Sequence, residues 1–283
     1  MECEPINAGP MNRMLTLLSV KLMHRCERYL SRLWKPSPGS SPLSRFFIKV
    51  YPFENLAEAY AMQFVAKHTS IPVPKVYCAF IHKGATYTVM SRIDGHMVSG
   101  GWHGRSDESK REIHLQLQLM IEELRNISPP EGMGVANVNG GPFCDPRLPS
   151  KMFWGPFASV REFHQALIEP VKIDKHPTDL PDLPDDIPEL LDFYRQHHEK
   201  VVFTHGDLSS LNIVVRGDKV TGIIDWETSG WFPSYWEHSC AWHVNPYNVF
   251  WQDEVGKFLP HMPYELRMDK IRLKYFDAFG TNI

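Results

Sequence analysis

The stretch VVFTHGDLSSLNIVVRGDKVTGIIDWE, from Val201 to Glu227, constrains the fold more than any other part of the chain. Its first three residues are apolar and lead into the polar loop HGDLSSLN, and two further apolar runs follow, at 213–215 and 220–224. Residues 216–219 between these runs include the glycine and aspartate that tight turns favour. Apolar runs on either side of a tight turn are typical of a β-hairpin. The stretch therefore predicts a strand, a polar loop and a hairpin in succession.

The hairpin places two oxygen-bearing side chains at its open end. Asn212 precedes the first strand and Asp225 follows the second. If the turn is centred on 218–219, Asn212 faces Asp225 directly, with Cβ atoms about 4.5–5.5 Å apart. If the turn is centred on 217–218, Asp225 becomes a diagonal neighbour on the same face, roughly 7–8 Å away or less. In both registers we expect an amide oxygen and a carboxylate to converge.

These residue types at this spacing point to phosphoryl transfer. Oxygens of Asn and Asp suit Mg²⁺, which needs few protein ligands because phosphates and waters complete its octahedron. Asp207 lies in the loop just ahead of Asn212, close enough to orient or deprotonate an incoming hydroxyl. Phosphoryl transfer depends mainly on positioning and charge neutralisation, which a carboxylate, a metal-binding amide and a second metal-binding carboxylate can supply.

The rest of the chain divides into two parts. Residues 45–95 predict a small mixed lobe: a strand over 46–50, a helix over ENLAEAYAMQFVAKH, and two strands joined by a turn at 83–84. Residues 96–283 are mainly helical, because DESKREIHLQLQLMIEELRNI has an amphipathic pattern and SVREFHQALI predicts a second helix. This second part contains the hairpin and its loop.

Residues 1–44 precede these lobes and predict a helix followed by a Pro/Ser linker. The apolar residues of the helix recur at helical spacing, and they are Met14, Leu17, Leu18, Leu22 and Met23. We therefore expect a helix that packs on its apolar face. The apolar stretch is too short and too interrupted for a secretory signal. The segment KPSPGSSP then breaks the helix with turn-forming residues.

Composition argues against several classes of protein. A formal net charge of −3 argues against a nucleic-acid binder driven by phosphate neutralisation. No apolar run reaches the roughly 18 residues of a membrane-spanning helix, so we expect no membrane association. The five cysteines are scattered and form no C-x-x-C pair, which indicates a reduced protein and a cytoplasmic location.

The motifs THGDL, NIVV, GIIDWE and GWFPSYWE, in this order, resemble those of the aminoglycoside phosphotransferase family. TSIPVPKVY, LRNISPP, GGPFCD and GPFASVREFH look like the fungal-type branch of that family. The resemblance runs from about Phe47 to near the C-terminus. It implies an α+β, two-lobed fold of the choline-kinase-like and protein-kinase-like type, with a small mixed β-sheet lobe and a mainly helical larger lobe.

The resemblance also implies roles for residues of the larger lobe. Asp207 would be the catalytic carboxylate, and His205 would brace the loop that carries it. Asn212 and Asp225 would hold Mg²⁺. Glu237 in SYWE has two interpretations that the sequence does not separate: it closes the substrate side, or it has a structural role at a helix start or in an ion pair.

In the small lobe, the resemblance implies a nucleotide site. Lys49 in FFIKV looks like the strand lysine that contacts the α- and β-phosphates of ATP, and Glu58 looks like its helix partner. This ion pair would orient the ammonium group, so loss of either partner would weaken nucleotide positioning. YTVMSRIDG resembles the hinge between the lobes, where backbone groups of Ser91 and Ile93 would contact adenine.

One departure from the family pattern concerns the start of the small lobe. Family members have two strands and a phosphate-covering turn ahead of the lysine strand, whereas this sequence has a helix and a linker there. The departure leaves open that the small lobe is incomplete.

The resemblance implies an ATP- and Mg²⁺-dependent phosphotransferase that acts on a hydroxyl group of a small molecule. The chain after Asp225 is short for the helical subdomain with which protein kinases grip peptides, which favours a small acceptor. The alternative is a catalytically silent relative that binds a nucleotide or a partner without phosphoryl transfer. The altered small lobe favours this alternative, and the intact set of Asp207, Asn212 and Asp225 argues against it.

Overall fold

The structure is a computed structural model, and it describes residues 4–30, 45–148, 151–175, 184–196, 200–243 and 249–276. Within these ranges the chain forms an α+β fold of helices and four small sheets. No helix in the described ranges combines the length and apolar content needed to cross a bilayer. The predicted Pro/Ser linker over 35–42 lies outside the described residues.

The elements follow one another along the whole described chain. The helices are α1 Pro10–Leu30, α2 Ala57–His68, α3 Asp107–Arg125, α4 Val160–Leu167, α5 Ile187–Gln196, α6 Trp236–His243, α7 Val249–Val255 and α8 Pro263–Phe276. The strands are β1 Phe46–Tyr51, β2 Val76–His82, β3 Ala85–Ser91, β4 His96–Met97, β5 Phe143–Cys144, β6 Phe153–Trp154, β7 Val202–Thr204, β8 Ile213–Arg216, β9 Lys219–Ile223 and β10 Gly230–Phe232.

The small lobe is built on an antiparallel sheet in the order β1-β3-β2, with α2 beside it. The β2–β3 turn lies at Lys83 and Gly84, as predicted, and these residues have φ of 51° and 79°. Positive φ at both positions suits a two-residue hairpin turn, whose twist matches that of the strands. Helix α2 buries Ala59, Met62 and Val65, which recur every three residues and so share one face.

The N-terminal segment adds to the β2 edge of this sheet, away from β1, which carries Lys49. Ile6 forms a bridge with Ala79 of β2, with hydrogen bonds of 2.8 and 2.9 Å. Arg13 of α1 lies 4.9 Å from the centre of the Phe80 ring. Among the described residues, no strand pairs with the outer edge of β1. The small lobe, as far as the structure describes it, therefore has three strands with the lysine strand at one edge.

Helix α1 is present as predicted, but the expectation that it packs on its apolar face is wrong for the described side chains. Met14, Leu18 and Leu22 are 52%, 54% and 61% exposed. The helix meets the sheet edge through the face that carries Arg13 and the buried Thr16. At 3.6 residues per turn this face lies opposite the apolar one, which therefore points away from the lobe.

Aromatic side chains form much of the core of the larger lobe and join it to the small lobe. Phe143 of β5 and Phe232 of β10 meet edge to face with ring centres 4.8 Å apart. Phe64 of α2 contacts Phe203 of β7 and Trp231 of β10, with ring centres 5.0 and 5.8 Å apart. The helix that carries Glu58 is thus anchored on strands that lead to and from the predicted site.

The predicted hairpin is β8–β9, and its turn lies at 217–218, the second of the two registers. The expected diagonal placement of Asp225 is nevertheless wrong, because Thr221 is an extra residue on β9 that shifts the pairing. The Ile224 N–H donates to the Asn212 carbonyl at 2.9 Å, so Asn212 opposes Ile224. Asp225 comes one residue later and leaves the strand with a φ of 65°.

The predicted lobe boundary near residue 95 lies where the chain changes sheets. Strand β3 ends at Ser91, and β4 pairs with β8 of the hairpin. Gly95 has a φ of 137°, and a Cβ at this position would lie 2.6 Å from the Val215 carbonyl oxygen. Only glycine allows this close approach, so the chain can pass directly from one sheet to the other. The division into lobes at this point stays a prediction.

Helix α3 offers a matched test of the core. Leu117 is 1% exposed and Leu119, two residues along the same helix, is 53% exposed. We expect Leu117→Ala to lower the free energy of unfolding by about 2–5 kcal/mol, because it leaves a cavity, and Leu119→Ala to lower it by less than about 1 kcal/mol. Urea unfolding followed by circular dichroism measures both, and equal losses would contradict the placement of α3.

Candidate active site

His205 opens the loop between β7 and β8, and its buried ring ties this loop to the end of β9. Its Nδ1 accepts the Asp207 N–H at 3.1 Å, and its Nε2 donates to the Ile224 carbonyl at 3.1 Å. An amide can only donate and a carbonyl can only accept, so the imidazole is neutral with its proton on Nε2. Burial lowers the pKa of His205 from 6.5 to about 4. This geometry suits the bracing role implied by the resemblance.

Glu237, in the first turn of α6, holds the same loop from the other side. Its Oε2 accepts the N–H of His205 at 2.7 Å and its Oε1 accepts the N–H of Gly206 at 3.0 Å. Burial raises the pKa of Glu237 to about 7, although the two amide hydrogen bonds oppose this rise. Gly206 has a φ of 80°, and a Cβ there would lie 2.7 Å from the Thr228 carbonyl oxygen. These contacts favour the structural interpretation of Glu237.

Asp207 and Asn212 lie side by side at the two ends of the remaining loop. Asn212 Nδ2 donates to the Asp207 carbonyl at 3.0 Å, which leaves the amide oxygen for another partner. Asp207 Oδ1 is buried and has no hydrogen-bond partner among the described residues. Burial raises the pKa of Asp207, and nearby Arg147 partly opposes this rise. A carboxylate with a raised pKa and an unpaired oxygen is suited to accept a proton.

Lys49 on β1 lies among three carboxylates. Its Nζ is 2.9 Å from Glu58 Oε1, 2.7 Å from Asp225 Oδ1 and 2.9 Å from Glu227 Oε2. Burial alone would lower the pKa of Lys49, but the three carboxylates outweigh it and raise this pKa. Burial raises the pKa of Glu58 to about 7, against the opposing effect of Lys49. The lysine therefore connects the small lobe to the end of the hairpin.

Ser91 and Ile93 lie at the passage between the lobes. The Ser91 N–H donates to the Lys75 carbonyl at 2.9 Å, and the Ser91 hydroxyl accepts the Lys75 N–H at 2.8 Å. The Ser91 N–H is therefore engaged within the small lobe. Ile93 packs closely on Gly222 of β9, where a Cβ would lie 2.7 Å from Ile93 Cγ2. The adenine contacts of both residues stay a prediction.

Asp207, Asn212 and Asp225 line one cavity of about 810 Å³, and Glu227 lines it beside them. The structure therefore brings the three residues singled out from the hairpin pattern together. Lys49 and Glu58 connect to this group through the ion pair of Lys49 with Asp225. His205, Ser91 and Ile93 lie outside the cavity lining.

Glu227 and Arg147 are among the cavity residues that were not anticipated from the sequence. Glu227 is the last residue of DWE, and its spacing of two from Asp225 is the signal that could have identified it. Arg147 comes from a distant loop, where its Nε and Nη2 donate to the two carboxylate oxygens of Asp145, both at 2.8 Å. Its Nη2 also donates to the Gly206 carbonyl. No local pattern around Arg147 predicts this contact.

The hairpin end presents oxygen donors that fit Mg²⁺. Lys49 engages Oδ1 of Asp225 and Oε2 of Glu227, so each carboxylate keeps its second oxygen, and Asn212 adds an amide oxygen. Among the described residues, no three or more His, Cys, Asp or Glu side chains cluster as a metal site by themselves. A set of two carboxylates and one amide suits a hard cation that takes its other ligands from phosphates and water.

Comparison with known proteins gives a consistent family and fold. A family model described as the phosphotransferase enzyme family matches residues 33–260. An aminoglycoside 3'-phosphotransferase from Niallia circulans is 25% identical over 171 residues, which cover 60% of this chain and 58% of that protein. The chain thus spans less than two thirds of the length of this curated relative.

Solved structures with a similar fold include a thermostable mutant of the aminoglycoside phosphotransferase APH(4)-Ia. Its apo form superposes with a TM-score of 0.57 at 17% identity, over 89% of this chain and 88% of that one. A variant in a ternary complex with AMP-PNP and hygromycin B superposes with a TM-score of 0.54 at 15% identity, over 87% and 83%. These likenesses show the expected α+β, two-lobed, kinase-like fold.

The neutral His205 predicts a pH dependence of stability. In the unfolded chain an imidazole gains a proton near pH 6.5, whereas the folded state accepts it only near pH 4. Between these values the unfolded state binds more protons, so the free energy of unfolding falls as the pH falls from about 6.5 to about 4, by up to about 3 kcal/mol.

We expect His205→Gln to remove this part of the pH dependence, since glutamine does not titrate. The exposed His96 provides the matched control, and His96→Gln is expected to keep the wild-type slope. Urea unfolding at pH 4, 5, 6 and 7 measures the slopes. An unchanged slope in His205→Gln would show that this imidazole is not held neutral.

Proposed function

The chain belongs to the phosphotransferase enzyme family, and we propose that it transfers the γ-phosphoryl group of ATP, in the presence of Mg²⁺, to a hydroxyl group of a small molecule. The ternary complex of the APH(4)-Ia variant supports both substrate classes, because it holds a nucleotide analogue and a hydroxylated small molecule together. We assign the activity to the cytoplasm, where the free thiols of Cys78, Cys144 and Cys240 would stay reduced.

One observation carries this proposal: Asp207, Asn212 and Asp225 line a single cavity, and Lys49 is bound to Asp225 at its edge. Phosphoryl transfer needs a group that orients the hydroxyl, oxygens that hold a divalent cation and a cation for the phosphates. In this proposal Asp207 takes the first role, Asn212 and Asp225 the second, and Lys49 the third. A protein without this chemistry has no need to bury Asp207 with an unpaired oxygen, which costs stability.

Asp207 is the proposed base. It accepts the proton of the acceptor hydroxyl as that oxygen forms its bond to the γ-phosphorus, and the bond to the β–γ bridging oxygen breaks to release ADP. Burial favours this role, because it raises the pKa of Asp207 and so makes the carboxylate a better proton acceptor. Glu237 and His205 accept hydrogen bonds from the backbone on either side of Gly206. These hydrogen bonds fix the position of Asp207.

Asn212, Asp225 and Glu227 are the residues that would hold Mg²⁺. The ion would neutralise charge on the phosphates during transfer. Lys49 lies between Glu58, on its own lobe, and the two carboxylates of the hairpin end. With phosphates present, Lys49 can exchange its contacts with the hairpin carboxylates for phosphate oxygens while Glu58 keeps the ammonium group oriented.

The second candidate function is nucleotide binding without phosphoryl transfer. One observation favours it: in the described small lobe β1 is an edge strand, and its residues Phe46, Phe47 and Val50 are 43%, 46% and 41% exposed. The strands that cover phosphates in the family pattern would lie on this side. Both candidate functions predict Mg²⁺-dependent binding of ATP. Only the phosphotransferase predicts turnover.

Replacement of Asp207 separates these candidates. We expect Asp207→Asn to lower ATP turnover about 10²-fold or more, because general-base catalysis typically contributes that much, and to keep Mg²⁺-dependent thermal stabilisation by ATP. The exposed Asp253 on α7 gives the control Asp253→Asn, which should keep both properties. ADP release is measured with water and with a panel of hydroxylated metabolites as acceptors.

Unchanged turnover in Asp207→Asn would rule out this residue as the base. Stabilisation of the wild-type protein by ATP and Mg²⁺ with no turnover on any acceptor would favour the silent nucleotide-binding protein.

Replacement of Lys49 tests the nucleotide site. We expect Lys49→Met to reduce the affinity for ATP about tenfold or more, because the phosphates lose a cation and three carboxylates lose their common partner. The exposed Lys75, which lies beside the sheet, gives the control Lys75→Met with unchanged affinity. Isothermal titration with a non-hydrolysable ATP analogue and Mg²⁺ measures both, and equal affinities would place the phosphates elsewhere.

A further inference from the structure

Arg147 is held in one orientation by its own segment of the chain. The Asp145 carboxylate, whose side chain is 1% exposed, accepts hydrogen bonds from Nε and Nη2 of Arg147, both at 2.8 Å, and from its backbone N–H at 3.0 Å. Paired bonds between a guanidinium and a carboxylate fix the plane of the guanidinium as well as its position. Asp145 ends the motif GGPFCD, which the proposed reaction leaves without a role.

This oriented guanidinium contacts the peptide unit that attaches Asp207 to its loop. Arg147 Nη2 donates to the Gly206 carbonyl, and the Asp207 N–H of the same unit donates to His205 Nδ1 at 3.1 Å. The carbonyl and the N–H of a trans peptide point in opposite directions. The unit is therefore held from two sides, and one of the two partners comes from a segment about 60 residues away in sequence.

Gly206 is the position at which this peptide unit would otherwise rotate. It has a φ of 80° and no Cβ, and glycine has more backbone freedom than any other residue. The unit before it is held as well, because Glu237 accepts the Gly206 N–H and Thr228 Oγ1 donates to the His205 carbonyl at 3.1 Å. Those contacts precede the ψ angle of Gly206, so the hydrogen bonds of Arg147 and His205 are the ones that fix it.

We propose that Arg147 is a positioning residue for the transfer step: held by Asp145, it fixes the Gly206–Asp207 peptide and thereby the direction in which the Asp207 carboxylate meets the acceptor hydroxyl. This inference rests on the proposed function, because it assigns Arg147 a part in the step at Asp207. Arg147 acts through the backbone and needs no contact with the reacting atoms. A displacement of about 1 Å in a catalytic group can lower the rate about 10²-fold, so a backbone contact can affect turnover.

Replacement of Arg147 tests this role. We expect Arg147→Gln to lower kcat for ADP release about tenfold or more, with water and with each active acceptor of the panel. Affinity for a non-hydrolysable ATP analogue with Mg²⁺ should change less than about twofold, because the hydrogen bonds of Arg147 go to Asp145 and Gly206. Arg147→Lys keeps the charge without the planar fork and should recover part of kcat.

Arg195 on α5 gives the matched control. Its side chain is also 28% exposed, it pairs with Asp192, and its Nε donates to the backbone carbonyl of the distant Ile173 at 2.8 Å. It is not among the described residues that line the cavity of Asp207. We expect Arg195→Gln to keep kcat, and urea unfolding shows how much stability each variant loses. A purely structural effect would lower kcat in neither variant once both are folded.

Hydrogen exchange gives a readout that needs no turnover. Mass spectrometry of fragments that contain residues 205–208 should show faster amide exchange at Gly206 and Asp207 in Arg147→Gln than in the wild-type protein, and no change in Arg195→Gln. Asp145→Asn is a second variant that keeps Arg147, and it also serves if Arg147→Gln does not fold. It should lower kcat less, and add no further loss to Arg147→Gln, because Asp145 acts through Arg147.

The outcomes separate this inference from the proposed function. Unchanged exchange at Gly206 and Asp207 in Arg147→Gln overturns the inference, and so does faster exchange with an unchanged kcat. A loss of ATP affinity as large as the loss of kcat also overturns it, because Arg147 would then act on the nucleotide. A wild-type chain that releases no ADP with any acceptor overturns the proposed function, and the exchange rates then decide by themselves whether Arg147 holds the loop.

Discussion

The interaction on which the site depends is the contact of one ammonium group with three carboxylates. Lys49 is carried by the small lobe, and Asp225 and Glu227 by the hairpin of the larger one, so this cluster holds the two sides of the cleft together. Glu58 adds the third carboxylate from α2, which Phe64 anchors on the core of the larger lobe. Without a cation at this point, three carboxylates would repel one another at the position where phosphates are expected.

The other contacts of the site position Asp207 and leave one of its carboxylate oxygens without a partner. Glu237 and His205 hold the loop backbone through its amides, so Asp207 is fixed without any contact to its own Oδ1. Arg147 pairs with Asp145 and also donates to the Gly206 carbonyl, so it connects the segment that carries Asp145 to the same loop. One buried carboxylate oxygen without a partner, on the half-buried Asp207, is a costly arrangement, which a reaction that needs a base explains.

The local sequence pattern was sufficient to predict the hairpin, the β2–β3 turn and the main helices, because hydrophobic periodicity and turn residues act over a few positions. It failed for the bulge at Thr221, which has no clear signal in sequence and moves Asp225 by one residue. It also failed for the packing of α1, because apolar spacing tells which face is apolar and not which face meets the sheet. Glu227 had a usable signal in its spacing from Asp225, whereas Arg147 had none.

The sequence by itself determined the order of strand, loop and hairpin and the residue types at the hairpin end, since these depend on neighbours in the chain. Only the tertiary structure decided that Glu237 clamps the loop, that Arg147 and Arg272 pair with Asp145 and Asp269 beside the site, and that β1 has an open edge among the described residues. These features join segments that are far apart in sequence. Their energies depend on burial and on charge–charge distance, which exist only once the chain has folded.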